Sequence, residues 1–221
     1  MGLMSFCCSV VSSACSAVGS MFSGALSVVG KIFLPEIEIA IRVIGMVINV
    51  VEAVCKALGI WQKDDDPEEL GDKAIQGAET GITRDKYETY EEYLKKIREV
   101  KLDPEVSAKI PQEAKFAAAT TLGVLGLESF YHKDAGSLAA CISVVAKNPE
   151  FFDAKRLQGY LDAGIDIKAL RSCLDGTASA GKELSFLKSV LGVEQTITGK
   201  NDADIYKGLD DAMSHWKANK E

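Results

Sequence analysis

His132 and His215 are the only imidazoles in the chain, and acid–base or nucleophilic chemistry needs such a group within hydrogen-bond reach of a partner. His132 stands in the loop-like run Tyr131-His132-Lys133-Asp134 and His215 in a helical pattern near the end, neither with a partner at a telling spacing. The six cysteines, Cys7, Cys8, Cys15, Cys55, Cys141 and Cys173, form no C-x-x-C pair. Four of them fall in the most apolar quarter, where cysteine serves as a small hydrophobe, so neither disulfides nor a metal site is expected. Gly176–Lys182, GTASAGK, falls short of a phosphate-binding loop. Asp64-Asp65-Asp66 and Asn201-Asp202-Ala203-Asp204 lack the alternation of a calcium loop and read as helix caps. No catalytic set, cofactor, metal or small-molecule substrate is expected.

A different chemistry resides in the spacing of small and polar residues near the N-terminus. Ser9, Ser13, Ser16, Ser20, Ser23 and Ser27 recur at steps of four and three, which draws one stripe along a helix. Gly19 and Gly24 lie beside it and permit close approach of a second helix. Further on, Glu38, Arg42, Gly45, Asn49, Glu52 and Lys56 repeat the pattern. Glu38 to Arg42 and Glu52 to Lys56 are i to i+4 pairs with the acid first, the favourable order for a helical ion pair. Ionisable groups in an apolar span are costly unless they face water or a partner, so the two stripes read as the lining of a pore or a seam between subunits. The competing reading for the second stripe is simpler: the exposed edge of a buried helix.

The elements that carry the stripes are two apolar segments. Met1–Gly30 has no charged side chain, and Phe6–Phe33 is 28 residues long, against about 20 needed to cross a bilayer. A turn at Leu34-Pro35-Glu36 leads into Ile37–Ile60, apolar outside its stripe. The spacing predicts a helical hairpin over residues 1–60. Its charges cancel, Lys31, Arg42 and Lys56 against Glu36, Glu38 and Glu52. The first basic residue is Lys31 and a second apolar run follows the first, which is not the pattern of a cleavable signal peptide. The expected location is therefore a membrane, or the cytoplasm before insertion or assembly.

Residues 61–66 read as a linker and 67–221 as a soluble helical domain. Trp61 fits either an interfacial aromatic or a core anchor, the latter being the commoner role. Asp66-Pro67-Glu68, Asp103-Pro104-Glu105 and Asn148-Pro149-Glu150 place a capping side chain before proline, the signature of a helix start. Helices are expected at Pro67–Glu79, Arg84–Val100, Pro104–Lys109, Pro111–Tyr131, Gly136–Lys147, Ala154–Ala163, Ile167–Leu174, Ala180–Leu191 and Asp202–Ala218. Phe116–Leu127, apolar nearly all round, is the expected centre. Alternating β-branched runs are missing, so the predicted fold class is all-α. The formal net charge of −7 falls wholly on Trp61–Glu221, which argues against nucleic acid as a partner.

Two functions follow as expectations. One is a membrane-active, toxin- or effector-like protein that oligomerises and inserts the hairpin into a lipid bilayer as a pore or channel. The other is a self-assembling structural protein whose hairpins form the core of a soluble ring or filament.

Overall fold

The computed structural model describes residues 43–218, with side chains at all of these except 180, 182–185, 213 and 215–218. Among the described residues there are ten α-helices, one short 3-10 helix and no strand. Ser9, Ser13, Ser16, Ser20, Ser23, Ser27, Glu38 and Arg42 lie outside them, as does the hairpin's first segment.

Helix α1 (Ile44–Ala57) opens at Val43, whose φ of −126° and ψ of 18° are not helical. It leads to α2 (Pro67–Glu79), the 3-10 turn Arg84–Lys86, α3 (Tyr90–Glu99), α4 (Pro104–Ser107) and α5 (Gln112–Phe130). The rest is α6 (Ala140–Lys147), α7 (Ala154–Asp162), α8 (Ile167–Leu174), α9 (Ala180–Thr198) and α10 (Asp202–Ala218).

Helix α5 is the centre, as its all-round apolarity predicts. Residues from Ala117 to Glu128 are all buried. Helices α1, α2 and α3 pack on it, while α1 also meets α6 and α7, and α7 through α10 close the far side. The second apolar segment is thus part of the domain's own core: Ile44, Val47, Ile48, Val51, Val54 and Cys55 are each at most 3% exposed. Burying such side chains contributes about 1.5–3 kcal/mol apiece.

Several expected starts hold for the expected reason. Asp66 and Asp103 accept hydrogen bonds from backbone N–H groups of the first turn, and Asp166, which sequence reading did not name as a cap, does the same for α8. Others move. Arg84–Val100 is not one helix, because Thr89 and Glu92 form a reciprocal capping box that starts α3 at Tyr90. Asn148 accepts a bond from the Phe151 N–H and makes a turn, and Asp153 caps the helix that follows. Helix α9 runs through Gly192 to Thr198 and stops at Gly199, where φ of +67° suits glycine.

Candidate functional site

The stripe on the second apolar segment can be followed from Val43 onward. Asn49 is exposed. The predicted Glu52–Lys56 ion pair forms at 2.7 Å, with each side chain only about a quarter exposed (25% and 26%). Lys56 Nζ also donates to the carbonyl of Lys63 at 3.1 Å. Both charges therefore lie flat along the helix, neutralised by each other.

On a helical projection Glu52 and Lys56 lie beside the exposed edge of the helix, where Met46, Asn49, Ala53 and Ala57 recur at steps of three, four and four. Met46 is 47% exposed, and Ala53 and Ala57 are exposed, whereas Val50 packs against the core. Sequence reasoning named Asn49 and missed its apolar neighbours. Alanine and valine at helical spacing look alike whether they face core or water, and only the position of the covering helices separates them.

The inner face explains why α1 cannot turn over. Its packing against α5 is close enough that a Cβ added at Gly123 would fall 2.3 Å from Val51 Cγ1, and one at Gly126 would fall 2.6 Å from Ile60 Cγ2. Cys55 donates its S–H to the Gly123 carbonyl at 3.6 Å.

Residues 61–66 are pinned to the same body. Trp61 is 2% exposed and donates from Nε1 to the Tyr90 hydroxyl at 3.3 Å, a core anchor. Asp65 accepts two bonds from Arg98, at 3.1 and 2.5 Å, and one from the Gln62 N–H at 2.7 Å. Beside this clamp, at the C-terminal end of α1, a cleft of about 350 Å³ is lined by Leu58, Ile60, Tyr90, Leu94 and Phe130 together with the polar Gln62, Glu91 and Arg98. Phe130 is 46% exposed.

Elsewhere the buried polar groups tie elements together. Glu194, 2% exposed, accepts bonds from Arg156 Nε at 2.9 Å and from the Tyr160 hydroxyl at 2.6 Å, joining α7 to α9. Glu128, 3% exposed, accepts from the Gly136 and Leu138 N–H groups at 3.0 and 2.8 Å and holds the turn between α5 and α6. Burial pushes its carboxyl above the usual range, against the pull of those two N–H groups. Asp72 takes bonds from Lys115 at 3.1 Å and Gln76 at 2.8 Å.

The thiols among the described residues lack the environment of a nucleophile. Cys55 and Cys141 are buried free thiols, held protonated because burial pushes Cys141 up to about 12 and Cys55 higher still. A thiolate nucleophile needs the opposite shift. Burial likewise pushes Tyr93 up to about 12. His132 follows α5 in the left-handed region at φ 52° and is exposed. GTASAGK follows helix α8 and runs into the first turn of α9, whereas a phosphate loop follows a strand, and Glu183 stands where the loop's serine or threonine would be. Among the described residues no three potential ligands converge on a metal position, and no helix is long and apolar enough to cross a membrane. No protein-family model, no curated protein and no solved structure matches the chain.

Proposed function

We propose that the protein acts at a lipid bilayer through Phe6–Phe33 alone, several copies turning their serine stripes together to line a pore, while the helical domain stays in water. The observation that carries this reading is the burial of α1. Of the two apolar segments, the second has its wide face covered by α5, α6 and α7. Drawing it out would uncover Ile44, Val47, Ile48, Val51, Val54 and Cys55, at a cost on the order of 10 kcal/mol. That is the scale of a whole domain's stability. A two-helix insertion would therefore unfold the domain, and a one-segment insertion leaves it intact. Phe6–Phe33 is long enough for the task and has Lys31 as its one charge.

The exposed edge of α1 favours a second reading, self-assembly, because Met46, Ala53 and Ala57 stand open on it and small residues let a second helix lie close. Flotation separates the two. Full-length protein is expected to rise with liposomes while a chain beginning at Leu34 stays at the bottom, and both are expected to be small without detergent. A full-length chain that sediments as a large detergent-free particle and does not float would replace the bilayer with other copies of the chain.

A further inference from the structure

We infer that the cleft between the loop after α1, helix α3 and the end of α5 binds a small organic cation, an ammonium group carried on a hydrocarbon body. The inference does not depend on the bilayer reading. At about 350 Å³ the cleft lies at the lower end of the range of about 300–1,000 Å³ usual for small-molecule sites. Leu58, Ile60 and Leu94 give it hydrocarbon walls. The first two are half-buried and packed on the core and Leu94 is 2% exposed, so the walls are held in place from behind.

The sign of the ligand follows from how the two charged side chains at the cleft are used. Arg98 is taken. Its Nε and Nη2 both donate to the Asp65 carboxylate, at 3.1 and 2.5 Å, and the Asp65 side chain is only 8% exposed. Such a two-pronged pair brings no net charge to the cleft, and an anionic ligand would have to displace a nearly buried carboxylate. Glu91 is not taken. It is exposed and has no hydrogen bond or ion pair among the described residues, and Lys95, one turn on, makes no ion pair with it. The cleft therefore carries one uncompensated negative charge.

Phe130, 46% exposed, lines the same cleft and supplies the aromatic surface that an alkylammonium favours. One ligand satisfies both: its ammonium group meets Glu91 and its hydrocarbon body covers Phe130. A neutral apolar molecule would leave Glu91 beside hydrocarbon, and a carboxylate would oppose it with like charge. The formal charge of −7 on Trp61–Glu221 adds a field that gathers cations. Glu91 also lies in the first turn of α3, where an acid stabilises a helix, and the test separates the two roles.

The full-length protein is titrated with hexylammonium, hexanol and hexanoate at one ionic strength, with the backbone amides of Gly59, Leu94 and Phe130 followed by NMR. Hexylammonium is expected to shift all three saturably and to bind at least about fivefold more tightly than hexanol. In Glu91→Gln its affinity is expected to fall to that of hexanol while hexanol is unchanged; a weaker helix would reduce both alike, and that result would count against the inference. Phe130→Ala is expected to weaken both ligands, and Glu91→Lys to reject hexylammonium and accept hexanoate. Equal affinities for hexylammonium and hexanol in the unaltered protein would leave an apolar cavity only and overturn the cation. Tighter binding of hexanoate would give the cleft to Arg98 and an anion, and shifts that never saturate would show that there is no site.

Discussion

Gly123 shows at a single residue how two effects of opposite sign are decided. Alanine is a better helix former than glycine by about 1 kcal/mol, and Gly123 lies inside α5, so propensity alone favours Gly123→Ala. Against it stands Val51 Cγ1, 2.3 Å from the added carbon. Val51 is 0% exposed and β-branched, with little freedom to swing away. Overpacking of this kind costs about 1–3 kcal/mol, so Gly123→Ala is expected to destabilise the protein by about 1–2 kcal/mol in urea denaturation. Gly192→Ala in α9, with nothing within 4 Å of the added carbon, is the matched control and is expected to stabilise. If Gly123→Ala stabilises as well, the α1–α5 contact is looser than described. Glu128 and Glu194 show the opposite relation, charged residues sited where burial would be prohibitive without the N–H and O–H groups that meet them. In the sequence Glu128 is one acid near a helix end, and nothing in its neighbourhood announces that Gly136 and Leu138 return to it.

At the scale of elements, what was legible was punctuation and period. Asp66 and Asp103 start helices where an acceptor precedes the first turn, and the apolar run Phe116–Leu127 lies at the centre. The Glu52–Lys56 pair formed as its spacing required. What was not legible needed knowledge of partners. Residues 61–66 carry the composition of a linker, yet Trp61 and Asp65 bind them to Tyr90 and Arg98, residues about 30 positions on. That Met46, Ala53 and Ala57 face outward beside Asn49 could be read only once α5, α6 and α7 were placed around α1. The consequence is an experiment on deletions. A chain beginning at Leu34 retains every described contact and is expected to melt cooperatively, within a few degrees of the full-length protein, by circular dichroism. A chain beginning at Gln62 lacks α1 and Trp61 and is expected to show no cooperative transition. Cooperative melting of the shorter chain would show that α1 is an accessory and would reopen the two-helix insertion.

For the whole molecule the charge distribution sets a condition on any encounter with lipid. The formal charge of −7 belongs to Trp61–Glu221, while residues 1–60 are neutral. On the proposed bilayer reading, an anionic bilayer would repel the domain while the segment is drawn in. The repulsion reaches about 30 Å at 0.01 M salt and about 10 Å at 0.1 M. Flotation with anionic vesicles is expected to increase several-fold over that range of salt, whereas flotation with zwitterionic vesicles is expected to stay level. Stronger binding to anionic vesicles at low salt would mean that a basic surface, not the apolar segment, makes the first contact.

The Cys55 to Gly123 hydrogen bond spans 68 residues, and it puts a clock on the protein's birth. Translation proceeds at about 5–20 residues per second, so α1 leaves the ribosome roughly 3 to 14 s before the centre of α5 exists to receive it. For that interval Val47, Val51 and Val54 have no α5 to pack against. The nascent protein passes through a form in which the inner face of α1 is open, and only the arrival of α5 closes it.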